Sequence, residues 1–249
     1  MFDLFRRRSP PAQTSPDVTA VNVNPLIQTK LDLISFAVRR LGVQTFADLG
    51  GVWGVEAGYT FYALDLGTTS GVLVDIAPTD TVVSVARTYP QLRVIRGDFG
   101  TEAMAAEVGN VDAVFLFDTL LHQVAADWDQ VLEMYSRYAR CLLIYNQQWV
   151  GPGRRVRLLE LGEDEYFRNV PHTRNEGPYE GLFAKLDSPH PGYVNRKWRD
   201  VRDIWQWGIT DGDLLEKVQG LGYDLQFFLN DGNFGSLRNF QNHAFLFSR

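Results

Sequence analysis

Apolar residues fall into short runs separated by stretches of helical spacing. Ile27, Leu31, Ile34, Val38 and Leu41 recur at the interval of one helical face. Asn24-Pro25 ahead of them reads as the helix start, a capping side chain followed by proline at the first helical position. Gly42 reads as its stop. Phe46-Ala47 then leads into Asp48. Gly71–Asp75 (GVLVD) is a continuous apolar run ending in an acid, and Leu92–Ile95 (LRVI), Val111–Phe117 (VDAVFLF) and Cys141–Tyr145 read as further strands. Such runs suit strands covered on both faces. Helical segments stand between them, including Ala103–Val108 and Asp127–Ala139, the latter with Trp128, Val131, Leu132, Tyr135 and Tyr138 near one face. Strands alternating with helices predict an α/β fold with a parallel sheet.

Periodicity fades between Gln147 and Gln206, a stretch rich in Arg, Tyr, Trp, Pro and Gly. Long irregular segments inside a domain are usually functional, and this one is expected to be a lid. Regularity returns at Thr210, a helix cap with Asp213 in the box position, followed by Leu214, Leu215, Val218 and Leu221. Asp224–Leu229 and His243–Phe247 read as a closing antiparallel pair. Residues 1–24 are expected to form a flexible leader and 25–249 one domain with its insertion.

The chain has 249 residues, with a formal net charge of −6. Beyond Arg6–Arg8 it carries no dense basic run, which argues against nucleic acid as a partner. No stretch has the length and apolarity of a bilayer span. Met1–Arg8 lacks the form of a secretory signal, because its charge follows its apolar residues. The single cysteine, Cys141, lies in an apolar run and reads as a buried residue. A cytoplasmic location is expected, with neither membrane nor nucleic acid as partner.

The chemistry centres on Thr45–Tyr59, TFADLGGVWGVEAGY. A strand ending in Asp48 meets Gly50, Gly51 and Gly54, and a helix follows. Glycine lets the backbone approach a ligand closely, and a helix start offers free N–H groups. Three more acids, Asp75, Asp98 and Asp118, stand at or just past strand ends, which an open parallel sheet gathers along one edge. Asp75, with Ile76 after it, stands where two ribose hydroxyls can donate to one carboxylate. Asp98 with Phe99 can take an adenine, the carboxylate accepting from the exocyclic amine.

The segments DLGGVWG, GVLVDI, RGDFG and VDAVFLFDTLLHQV resemble motifs I to IV of the class I S-adenosylmethionine-dependent methyltransferases, over roughly Phe46 to Tyr145. Val52 stands at the family's middle glycine. The resemblance implies a Rossmann-like, mostly parallel seven-stranded sheet of order 3-2-1-4-5-7-6, with strand 7 antiparallel and helices on both faces. It also implies S-adenosylmethionine as cofactor, held by Asp48, Gly50, Gly51, Gly54, Asp75, Ile76, Asp98, Phe99 and Asp118.

His122, four residues beyond Asp118, is the candidate catalytic base, with His172 and His190 of the lid as rivals; His243 reads as structural. The histidines and Cys141 lack metal-ligand spacing, so no metal is expected. The functional expectation is methyl transfer to a small-molecule acceptor, at oxygen. Two other readings remain: a non-catalytic binding or regulatory protein of this fold, and a nicotinamide oxidoreductase, which the missing GxGxxG and the acid ahead of the glycines disfavour. An RNA methyltransferase is disfavoured by the acidic balance.

Overall fold

The apolar runs become neighbouring strands in the computed structural model, which describes residues 24–249; the leader expected over residues 1–24 lies almost wholly outside them. The strands are β1 (Thr45–Leu49), β2 (Ser70–Asp75), β3 (Leu92–Arg96), β4 (Val111–Phe117), β5 (Ala139–Trp149), the two-residue β6 (Val156–Arg157) and β7 (Trp207–Gly208), β8 (Asp224–Asn233) and β9 (Phe240–Ser248). The helices are α1 (Gln28–Arg40), α2 (Gly58–Asp65), α3 (Asp80–Ala86), α4 (Glu102–Val108), α5 (Trp128–Ser136), α6 (Glu163–Arg168), α7 (Leu182–Lys185) and α8 (Asp211–Gly220). Seven strands make one sheet, ordered β3-β2-β1-β4-β5-β9-β8. The first five are parallel, and β9 runs antiparallel to both β5 and β8. This is the expected order 3-2-1-4-5-7-6, since β6 and β7 pair apart.

Alternate strand residues point to opposite faces, so each strand feeds two cores. Phe46, Phe115, Leu143 and Leu246 pack with Leu33 and Ile34 of α1 on one face. Val74, Leu116, Ile144 and Phe245 pack with Trp128 and Leu132 of α5 and Leu214 and Val218 of α8 on the other. Cys141 is fully buried, as expected.

Several boundaries differ from the sequence reading. Helix α1 begins at Gln28, and Asn24-Pro25 lies ahead of it. The Asn24 N–H donates to the Gly54 carbonyl (2.8 Å), which ties this lead-in to the glycine turn. The buried face of α1 is Thr29, Lys30, Leu33, Ile34 and Ala37, and Ile27 is exposed. Helix α5 stops at Ser136 because Ala139 already belongs to β5. Strand β5 runs on through Gln147, Gln148 and Trp149, so the insertion starts at residue 150.

The insertion is not patternless. Trp149, Leu158, Tyr166, Tyr179, Leu182, Val201, Trp205 and Phe240 form a third core. Its helices, α6 and α7, have six and four residues. Elements that short complete too few turns to display a period in the sequence.

Candidate active site

Gly50 adopts φ +80° at the end of β1, and its N–H donates to the Val74 carbonyl (2.8 Å). A Cβ on Gly51 would run into the Asp48 carboxylate. Asp48 is fully enclosed and accepts from the Thr60 hydroxyl (2.6 Å). Burial pushes its pKa up to about 6; the Thr60 hydrogen bond and the Lys30 charge oppose this, and Asp75 adds to it. Asp48 therefore supports the turn from beneath, rather than lining the open crevice as expected. Val52 buries its side chain with Leu73 and Val82, so it does not fill the space beside the turn. Gly54, at φ +74°, packs against the Asn24 amide.

Asp75 is anchored from behind. The Val52 N–H donates to Oδ2 (3.2 Å) and the Ala77 N–H to Oδ1 (2.9 Å). Each oxygen keeps a lone pair for a further donor. Ile76 beside it is 53% exposed, an apolar surface at the crevice edge. Asp98 accepts from the Gly100 N–H (2.8 Å) and from Arg202 of the insertion, with Arg196 at 3.8 Å from its other oxygen. The Phe99 ring is packed in the sheet core, which leaves only its backbone for the adenine contact expected of it. Asp118, a non-glycine residue at φ +57°, pairs with Lys30 and accepts from Gln147 Nε2 (2.7 Å). The Lys30 ammonium is buried against the rings of Tyr145 (4.6 Å), Tyr59 (5.1 Å) and Phe117 (5.7 Å).

His122 ends a short 3₁₀ turn, Leu120–His122, just beyond β4. Its Nδ1 lies 3.1 Å from the Ile204 carbonyl, and its ring is edge-on to Trp205. A carbonyl only accepts, so Nδ1 carries the proton and Nε2 is left bare. Burial lowers the His122 pKa, against the Ile204 hydrogen bond and the Asp118 charge. The other histidines pack elsewhere. His172 stacks on Tyr179 (4.5 Å), His190 sits against Trp198 (4.2 Å), and His243 is bonded to Asp211 (2.8 Å). Among the described residues no three His, Cys, Asp or Glu side chains group as metal ligands.

The sequence reading missed Lys30, Arg196 and Arg202, and it placed Gln147 in the lid. Lys30 left one signal: it sits at the interval of Ile34 and Ala37, a cation on an apolar stripe. The two arginines left none, because only the folded insertion brings them to Asp98. Tyr179, one of the lid's aromatics, is enclosed in the insertion's own core.

Solved structures share this architecture. The N-terminal domain of EvdMO1, solved in the presence of SAH and D-fucose, superposes with a TM-score of 0.56 at 13% identity, over 89% of this chain and 83% of that one. The Burkholderia thailandensis 1,6-didemethyltoxoflavin-N1-methyltransferase, with its namesake compound and S-adenosylhomocysteine bound, gives 0.55 at 12% identity, over 89% and 78%. The mitomycin 7-O-methyltransferase MmcR gives 0.51 at 12% identity, over 89% and 53%. The fold is that of the class I S-adenosylmethionine-dependent methyltransferases. At the level of sequence alone, no family model matches the chain and no curated protein matches it.

Proposed function

We propose that this chain transfers the methyl group of S-adenosylmethionine to an oxygen of a small molecule. One observation carries the reading. At the switch point between β1 and β4, where ligands bind in open α/β sheets, the glycine turn, the anchored Asp75 and the bare Nε2 of His122 come to one edge. The residues there fit the donor. The Asp75 carboxylate has acceptor capacity for two ribose hydroxyls. Asp98 is 31% and Asp118 40% exposed, so both can accept from the donor's amines beyond the pairs they already make. When bound, the donor supplies an electrophilic methyl on a sulfonium. The chain's own residues then have three tasks. Asp75 and Asp98 hold the nucleoside, the insertion keeps water out, and His122 Nε2 takes the acceptor's hydroxyl proton.

A neutral, half-buried imidazole favours a protonated nucleophile such as a hydroxyl, because an unprotonated nitrogen or sulfur needs no base. The insertion stands over the end of β5 and is the element that selects the acceptor. Solved neighbours, one in the presence of D-fucose and one with bound 1,6-didemethyltoxoflavin, favour a small acceptor. A cytoplasmic setting without nucleic acid belongs to the same proposal. It rests on the single buried cysteine, the net charge of −6, and the lack among the described residues of any helix long and apolar enough to cross a membrane.

A non-catalytic binding protein is the competing reading, and the ion pairs at Asp98 and Asp118 favour it. Calorimetry with S-adenosylmethionine, S-adenosylhomocysteine and NADH, followed by a screen of hydroxylated acceptors for S-adenosylhomocysteine release, tests both. Donor binding with turnover is expected. Donor binding with no turnover of any acceptor class supports the rival, and preference for NADH refutes the donor assignment.

A further inference from the structure

Residues 202–206 run as a strap from the adenine end of the crevice to the candidate base. Arg202 is seated on Asp98, and its guanidinium also reaches the Ala125 carbonyl (3.5 Å). Two residues on, the Ile204 carbonyl holds Nδ1 of His122 (3.1 Å). Two further on, the Gln206 N–H donates to the Leu121 carbonyl (3.2 Å), inside the turn that carries His122. Arg196 reinforces the same join. It donates to the Val124 and Ala125 carbonyls (3.0 Å each), in the loop that leaves that turn. The seat for Arg202 is close-fitting: a Cβ on Gly100 would lie 2.6 Å from its Nη2. Arg202 Nε is buried without an acceptor, so the guanidinium is held by its end and not by its stem. A buried donor is left unmet only where something else fixes the group, and here that is Asp98.

We propose that Arg202 is a positioning residue that couples the donor site to the base: seated on Asp98, it fixes the strap whose Ile204 carbonyl sets the His122 tautomer. This rests on the donor reading above. Arg202 and the Gly100 N–H occupy Oδ1 of Asp98, while Oδ2 makes only the long 3.8 Å approach to Arg196. The pair therefore turns a free oxygen outward for an adenine amine. A donor that binds there tightens the strap, and the strap holds Nε2 of His122 bare and aimed. Asp118, His172 and Asp203 are the titratable groups that face that imidazole, and Asp203 lies on the strap itself, next to Arg202.

The test follows the His122 ring by NMR, with S-adenosylhomocysteine as probe, in the full chain. In wild type the probe should shift the His122 signals and move its titration midpoint. Arg202→Ala should weaken probe binding by about ten- to hundredfold, the range for a lost charged hydrogen bond, and abolish the His122 response. Arg202→Lys should restore part of both. Gly100→Ala, which keeps every charge but crowds the guanidinium, should act like a milder Arg202→Ala. Unchanged or tighter binding in Arg202→Ala, or a His122 response that survives it, overturns the coupling. Probe binding by wild type without any His122 response overturns the coupling but leaves the donor reading standing. A wild type that does not bind the probe refutes the donor reading itself.

Discussion

Asp48→Asn is predicted to make the protein more stable near neutral pH, although it alters a fully enclosed side chain under the glycine turn. The folded chain holds the Asp48 proton up to about pH 6, whereas the ordinary aspartate value is 3.8. Between those values the folded state binds more protons than the unfolded one, so stability falls as pH rises through the window. Above it the ionised carboxylate carries the whole burial cost, which for a shift of this size is about 3 kcal/mol. Asparagine is nearly isosteric and stays neutral. Its carbonyl oxygen can still accept from the Thr60 hydroxyl, which now donates to Asp48 at 2.6 Å. The variant should therefore gain on wild type by about 3 kcal/mol between roughly pH 4 and pH 8. Urea unfolding followed by circular dichroism at several pH values measures this. A wild type and variant whose stabilities run parallel across that range would falsify the account of Asp48 as a buried acid with a raised pKa.

His122→Ala should slow turnover by about 10²–10⁴-fold and remove the acid limb of the rate profile, as read by S-adenosylhomocysteine release against pH. That limb should lie below the ordinary histidine value of 6.5, because burial lowers the His122 pKa; a limb above it contradicts the assignment. Lys30→Met should cost about 1–3 kcal/mol in unfolding experiments, less than for a fully buried pair, since Asp118 stays 40% exposed. A double-mutant cycle with Asp118→Asn should return a coupling energy, and additive losses would mean the pair is idle. Tyr179→Ala should strip about 3–5 kcal/mol from the insertion's local stability. Hydrogen exchange should then quicken across residues 150–206 and stay slow in β1, β4 and β5; loss spread evenly over the sheet would show that the insertion has no core of its own.

Much of this was legible before folding was considered. The central strands of the sheet are largely apolar runs buried on both faces, as at Gly71–Asp75 and Val111–Phe117, whereas the edge strands β3 and β8 are half-buried or exposed. The four acids were legible because each stands at or just past the end of a strand. What they do was less so. Asp48 and Asp75 have the same sequence context, yet Asp48 is folded beneath Gly51 and Asp75, itself buried, is anchored by the Val52 and Ala77 N–H groups. That difference depends on which way a turn carries the chain, and spacing does not encode it. The partners of Asp98 and Asp118 come from more than 80 residues away, through ion pairs that leave no periodic trace. The insertion is as irregular as its sequence suggests, but its core was hidden because its apolar residues serve short turns.

The insertion also begins and ends at one place. The Trp149 N–H donates to the Ile209 carbonyl (2.7 Å), and Gln148 bridges to Ile209, so the chain departs from β5 and rejoins it side by side. A segment rooted this way is a graft. Its length can change by a factor of two for only about 0.6 kcal/mol of loop-closure entropy, and no strand of the sheet need change register to admit it. On the proposed function, acceptor preference can thus drift by replacing one contiguous stretch while the edge that carries Asp75 and the glycine turn stays as it is. The points such a graft must keep are those where it touches the sheet domain, at Asp98, at the turn bearing His122, at Asp213 of α8 and at Asn239 beside β9.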